Sequence, residues 1–259
     1  MSGQYEAPPA SGQDDARRVG ETSRPTVVAV ERDGARNRIT TLRPGAFLAP
    51  MPLHARGGTA RIALVGTTAG LLAGDALALD VSVGPGAELE LTETAGLVAY
   101  DHRGGVSSWR ARVTVAAGGR LQWEGKPFVA AGGARVDRGL EVSLGQGATM
   151  LWRDTLVLGR CAERGGSVRS ATRVLHEGRE LFVEELDLTD HEERELPGIL
   201  GSSRVVDAVA AFGRTPARPH PPLATPLAGP GALARTVTPG AARDSAGLDE
   251  VWRSWATAR

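Results

Sequence analysis

The sequence predicts an all-β-dominated protein, with β-hairpins stacked into a two-layer scaffold and a few short helices, one of them C-terminal. Three observations predict this. One pattern recurs in Val81-Ser82-Val83-Gly84-Pro85-Gly86-Ala87-Glu88-Leu89-Glu90-Leu91, in Val113-Thr114-Val115-Ala116-Ala117-Gly118-Gly119-Arg120-Leu121-Gln122-Trp123 and in Val142-Ser143-Leu144-Gly145-Gln146-Gly147-Ala148-Thr149-Met150-Leu151-Trp152. Each unit alternates apolar and polar residues, passes a small-residue turn and alternates again, the period-2 signature of a half-buried strand pair. The units start 32 and then 29 residues apart, and self-similarity at such a period marks stacked units sharing one core. Each turn also carries glycine, which supplies the positive φ of a tight reversal. The turns are expected near Pro85, Ala117-Gly118 and Gln146.

The elements follow in chain order. Residues 1–24 hold almost no large apolar side chain beyond Tyr5 and Val19. Such a segment cannot bury enough surface to offset its ordering entropy and is expected to be a disordered tail. Residues 25–259 then form a single β domain. Strands are expected at Thr26 to Val30, Arg61 to Val65 and Leu77 to Val83, through the three repeats, and at Ser170 to Leu175 and Glu180 to Leu188. His176-Glu177-Gly178-Arg179 reads as a hairpin turn between the last two. Val205 to Phe212 suits helix and strand equally. Residues 214–231 carry six prolines, which makes them an irregular connection. Beyond it Leu248, Val251, Trp252 and Trp255 recur at i, i+3, i+4 and i+7, one apolar face of a helix over about residues 248–258. Docking on the sheet is the plainer role for that face, and binding a partner the other.

Composition bounds the function. Lysine plus arginine total 30 and aspartate plus glutamate total 30, so no basic field gathers a phosphate backbone and nucleic acid is not an expected partner. No apolar run is long enough to span a bilayer, and no signal peptide is recognisable. The single cysteine, Cys161, excludes an internal disulfide framework and fits a reducing compartment. A cytoplasmic protein is the expectation. There is no G-x-S-x-G elbow, P-loop or H-E-x-x-H, and the five histidines show no ligand spacing.

What remains is a set of carboxylates in strand contexts. Asp75 follows Gly70-Leu71-Leu72-Ala73-Gly74 and precedes a strand, where an aspartate commonly caps a turn by accepting from nearby N–H groups. Asp154 stands in the mostly apolar Leu151 to Leu158, and Glu184 follows Leu181-Phe182-Val183. A charge in an apolar strand needs a partner or a wet cavity.

From Ala69 onward the chain resembles a known family, the urease accessory protein UreD (UreH). The family's G-G-x-x-G-G-D before a strand stands here as Ala69-Gly70-Leu71-Leu72-Ala73-Gly74-Asp75. The turn Gly84-Pro85-Gly86-Ala87 follows, then Thr92-Glu93-Thr94-Ala95 through Tyr100, Leu121-Gln122-Trp123, Trp152 to Leu158-Gly159-Arg160, Gly165-Gly166 and the strand Leu181 to Leu188. The series covers about residues 61–188. The C-terminal Trp-containing helix resembles that of shorter, high-GC-type members. Departures are Ala69 and Ala73 for glycines, Gly96-Leu97 for Thr-Lys, and Glu124-Gly125-Lys126-Pro127 where the family has P-Q followed by E, D or P.

The resemblance implies a non-enzymatic chaperone of nickel-urease maturation. Its implied partners are urease apoprotein and UreF, with the GTPase UreG reached through UreF. It implies no tightly bound cofactor, with nickel in transit through an internal water-filled passage. The family's acidic passage positions match Asp75, Asp154 and Glu184. Successive oxygen ligands suit such a passage because they hold a divalent cation weakly, whereas a His/Cys cluster would trap it. All three are expected to face one interior passage. Two other readings stay open. One is a small all-β hydrolase or isomerase using Asp75 and Asp154 as paired carboxylates. The other is an all-β binding module using exposed aromatics, although Trp109, Trp123 and Trp152 follow an alternation that suits the core.

Overall fold

A computed structural model describes residues 24–216, 224–240 and 246–257; the rest of the expected N-terminal tail and part of the proline-rich connection lie outside them. In chain order the strands are β1 (Thr26–Asp33), β2 (Arg36–Arg43), β3 (Leu48–Arg56), β4 (Thr59–Gly66), β5 (Ala76–Val83), β6 (Glu88–Glu93), β7 (Leu97–Ala99), β8 (Ser107–Val115) and β9 (Arg120–Glu124). They continue with β10 (Phe128–Ala130), β11 (Arg135–Leu144), β12 (Thr149–Leu158), β13 (Ser167–His176), β14 (Arg179–Leu188), β15 (Val205–Phe212), β16 (Ala224–Pro226) and β17 (Gly231–Thr238). Two helices, α1 (His191–Arg194) and α2 (Ala246–Thr257), complete the described elements. Strand at 57% of the described residues against helix at 7% gives the strand-dominated fold that the sequence predicts.

The strands form two sheets. One has seven strands in the order β14-β13-β11-β8-β5-β1-β2, and the other runs β16-β17-β15-β12-β9-β6-β4-β3, with β10 and β7 alongside β12. The three repeats straddle the sheets. Their turns lie where expected, with Gly86, Gly118 and Gly147 at φ of 62°, 66° and 65°. The strands flanking each turn do not pair with each other, however. β5, β8 and β11 lie parallel in one sheet, while β6, β9 and β12 lie parallel in the other. Each expected hairpin is therefore an arch, and the arches stack. Alternation and a glycine turn are common to both arrangements; stacking differs in that the turns bond to one another. Gly86 N–H donates to the Ala117 carbonyl (2.9 Å), and Gly118 N–H to that of Gln146 (2.9 Å).

This register lines the core with rows. Val83, Val115 and Leu144 form one row and Leu79, Ala111 and Leu140 another. Across from them run Leu89, Leu121 and Met150, then Leu91, Trp123 and Trp152. All of these side chains are buried, and so is Trp109, the third of the tryptophans expected inside. Trp109 stacks on Trp123 with ring centroids 6.2 Å apart.

The later elements close the stack. β13 and β14 form a true antiparallel hairpin through Glu177 (φ 52°) and Gly178 (φ 75°), at the place the sequence indicates. β15 is a strand whose eight residues are all buried. One face joins the main core through Val206, Ala210 and Phe212, while Val209 and Ala211 meet α2. A strand covered on both faces has a near-continuous apolar run without alternation, which is why its type was ambiguous. Helix α2 buries Leu248, Val251 and Trp255 against Leu151, Ala232 and Ala234, so its apolar face is docked on the sheet. Trp252 is only partly covered.

Candidate functional site

The polar site arises from the same rows, at the ends farthest from the arch turns. In the seven-stranded sheet, Leu77 and Trp109 share a row with Arg138. In the facing sheet, the inward positions after Leu91, Trp123 and Trp152 are Glu93, Gly125 and Asp154, one residue beyond the last paired positions Thr92, Glu124 and Arg153. The stack thus changes from apolar to charged within one step of the strand period.

Arg138 is only 6% exposed. Its Nη1 and Nη2 donate to the two Asp154 carboxylate oxygens at 3.2 and 2.7 Å, and its guanidinium lies over the Trp109 and Phe128 rings at 5.1 and 4.8 Å. Asp154 is therefore a paired charge, as an inward carboxylate requires. Glu184 is paired similarly: Arg235 donates to both its oxygens at 2.7 Å. Asp154, Arg138, Glu184 and Arg235 together border one cavity of about 30 Å³, with Ser170 and Thr172 on its wall. That volume has room for about two water molecules.

Asp75 is placed elsewhere. Its Oδ2 accepts from the Leu72 N–H at 2.7 Å, closing a turn in which Gly74 adopts a φ of 84°. It lines neither this cavity nor the larger one below. The structure brings Asp154 and Glu184 together and leaves Asp75 outside, because a carboxylate immediately before the strand start satisfies the local backbone first. Asp75 and Asp154 share neither cavity, so the paired-carboxylate alternative has no common site in them.

Sequence reasoning passed over Glu93, which does belong. It lines a cavity of about 340 Å³ that also takes in Arg138, Asp154, Trp109 and Trp123. Burial pushes the Glu93 carboxyl up to about 7, opposed by hydrogen bonding to the Lys126 N–H and assisted by the nearby Asp154 charge. Its oxygens accept from Trp123 Nε1 at 3.2 Å and from the Lys126 N–H at 2.9 Å. The signal was present in the sequence: Leu89, Leu91 and Glu93 share one parity along β6.

A third space lies outside the sheet. Arg153, of opposite parity to Asp154, points to a groove of about 540 Å³ between α2 and the strands. There it donates to Asp207 at 2.9 Å and to Asp249 of α2, while Thr155 Oγ1 donates to Asp207 at 2.8 Å. The three spaces adjoin. The groove shares Gly125, Lys126 and Arg153 with the 340 Å³ cavity, and that cavity shares Arg138, Trp152 and Asp154 with the smallest. Carboxylates stand at each stage. Among the described residues no three His, Cys, Asp or Glu side chains converge into a metal-holding group, and no helix is long and apolar enough to cross a membrane.

Comparison with known proteins places the chain among relatives of one family. The family model described as UreD urease accessory protein matches residues 25–257. Urease accessory protein UreD 1 of Streptomyces griseus subsp. griseus is 59% identical over 243 residues, which span 92% of this chain and 95% of that protein. Its namesake in Saccharopolyspora erythraea is 34% identical over 86% of this chain and 91% of its own length. Urease accessory protein UreD of Streptomyces avermitilis is 30% identical, over 78% and 84% respectively. These names describe accessory proteins and not enzymes. With the family model and a 59% identical relative both spanning nearly all of it, the chain belongs to the UreD urease accessory protein family.

Proposed function

We propose that the chain acts in urease maturation as a scaffold linking urease apoprotein to UreF, and through UreF to UreG, while passing nickel toward the urease active site. Family membership supports the role in maturation. The observation carrying the passage is the adjoining of three spaces through the sheet, with Asp154 at the junction of two and Arg153 at the junction of the other two. Nickel is cargo in this reading. Oxygen ligands in series bind such a cation weakly enough to release it. Asp154 and Glu184 are each held by a guanidinium, so an arriving cation exchanges places with Arg138 and then Arg235. Glu93 offers an oxygen ligand with no arginine partner in direct contact.

The test is urease activation in cells carrying Asp154→Ala, Glu184→Ala or both, with co-purification of UreF and urease measured in parallel. Intact complexes with lowered activation, lowest in the double variant, are expected. Full activation by the double variant in intact complexes would reject the passage while leaving the scaffold role standing.

A further inference from the structure

The stack has two open ends, and they carry opposite charge. The chain as a whole is neutral, 30 basic against 30 acidic residues, so the asymmetry is one of placement. Between Arg24 and Arg56 six arginines are exposed (Arg24, Arg32, Arg36, Arg38, Arg43 and Arg56), against the two exposed carboxylates Glu31 and Asp33. Between Glu177 and Glu195 eight carboxylates are exposed, against the single exposed arginine Arg179. Arg164, Arg169 and Arg173 pair with Glu195, Asp187 and Glu180, which leaves the acidic excess on Glu177, Glu185, Asp190, Glu192 and Glu193. Sequence position translates into space because the seven-stranded sheet places β2 at one edge and β14 at the other.

Those two edges are also the ones left able to pair. In the other sheet, edge strand β3 contains Pro50 and Pro52, and edge strand β16 is three residues long and ends in Pro226. Proline and shortness are the ordinary means of blunting an edge. β2 and β14 have eight and ten residues and no proline. Exposed apolar side chains accompany both ends: Met51 and Leu53 on β3 at the basic end, and Val183, Leu196 and Ile199 at the acidic end. Apolar surface ringed by complementary charge is the composition of a protein interface.

We propose that these ends are complementary docking surfaces for a second copy of this chain, the basic end of one molecule meeting the acidic end of the next. Direction permits it. β1, β5, β8, β11 and β13 are mutually parallel, and β2 and β14 each run antiparallel to their neighbour. The two edge strands therefore point the same way, and a copy displaced along the stack presents its β2 alongside β14 in parallel. Arg36 and Arg38 are exposed at i, i+2 on β2, matching the spacing of exposed Glu185 and Asp187 on β14, which share the single cation Arg169 at 3.9 and 2.9 Å and so keep a net negative charge. The Asn37 N–H already donates to the Gly58 carbonyl (3.2 Å), so main-chain pairing begins beyond it. Contact between two different surfaces is heterologous, and it builds open chains or rings whose length grows with concentration.

Sedimentation velocity on the full chain tests this, across a concentration series and between about 0.1 M and about 1 M salt, over which the screening length falls from ~10 to ~3 Å. Oligomers that grow with concentration and dissolve in high salt are expected. Arg36→Glu with Arg38→Glu should be monomeric, as should Glu185→Arg with Glu192→Arg, and an equimolar mixture of the two double variants should associate again. If a reversal lowers the melting temperature, the neutral pair Arg36→Gln with Arg38→Gln replaces it and should weaken association. A wild-type chain that stays monomeric throughout overturns the proposal. So does association that ignores the substitutions, or a mixture that fails to restore it.

Discussion

The rows next to the arch turns and the row farthest from them share one backbone register yet hold opposite chemistry. Near the turns, Val83, Val115 and Leu144 face Leu89, Leu121 and Met150, and every one is buried and apolar. Three steps away on one sheet and two on the other stand Arg138, Glu93 and Asp154. The scaffold imposes inward pointing on both sets, so the charges are not there for want of an outward position. An apolar row stabilises by removing surface from water, at ~25 cal/mol per Å². A charged row must be matched internally before it is even neutral to stability. Arg138 with Asp154, and Arg235 with Glu184, are that match.

The largest expected effect on the charged row breaks the match on one side. Arg138→Ala should destabilise by about 3 kcal/mol, because it leaves the partly buried Asp154 without its partner and removes the guanidinium packed on Trp109 and Phe128. Arg138→Met combined with Asp154→Leu should recover most of that loss, since an apolar pair of similar volume replaces the ions. Urea denaturation of wild type and the two variants measures it. A double variant as unstable as the single would mean that the pair is a net stabiliser, and the row would then resemble the core more than the comparison allows.

Helix α2 offers a second contrast, between two tryptophans on one face. Trp255 is 2% exposed, whereas Trp252 is partly covered and lines the outer groove. Trp255→Ala should cost about 3–5 kcal/mol and Trp252→Ala clearly less. Thermal melts beside a UreF pull-down separate packing from binding: lost binding at unchanged stability for Trp252→Ala would make the groove a partner surface.

Glu93 sets a smaller, pH-dependent effect. Its carboxyl, raised to about 7 by burial, binds a proton in the folded state over a range where the unfolded chain has released it. Stability from this group is therefore full below its ordinary value and is lost as pH rises through about 7. Glu93→Gln should be more stable than wild type above that pH by about 1–3 kcal/mol, with the advantage shrinking toward pH ~4.5. A pH-independent difference between the two would mean that Glu93 keeps an ordinary carboxyl.

Much of this was legible in the residues. Alternation and the glycine turns located the three arches, and the spacing implied stacking, because those signals act within a dozen residues. Which strand pairs with which was not legible: Val81 to Leu91 reads the same as a hairpin or as an arch, and only the neighbouring units decide. Asp154 stood out as a charge in an apolar strand, but its partner Arg138 lies one strand earlier in another sheet. Arg235, the partner of Glu184, is 51 residues away. Sequence distance hides such pairs. Glu93 was missed because Thr92 and Thr94 beside it made the segment look like an ordinary polar strand end.

The smallest effect concerns Asp75, the aspartate that matched the family motif most directly and yet sits outside both cavities. Its Oδ2 holds the Leu72 N–H in an exposed turn, a single local bond to a charged acceptor. Asp75→Ala should cost about 1 kcal/mol, and Asp75→Asn less, since an amide oxygen can still accept. Urease activation by either variant should follow the amount of folded protein and nothing more. The sensitive comparison is with Asp154→Ala at matched stability and matched recovery of the UreF complex. If Asp75→Asn folds normally but activation falls as far as it does with Asp154→Ala, the cation path reaches the turn before β5. The polar row would then be the middle of a longer route, with its mouth at Gly74.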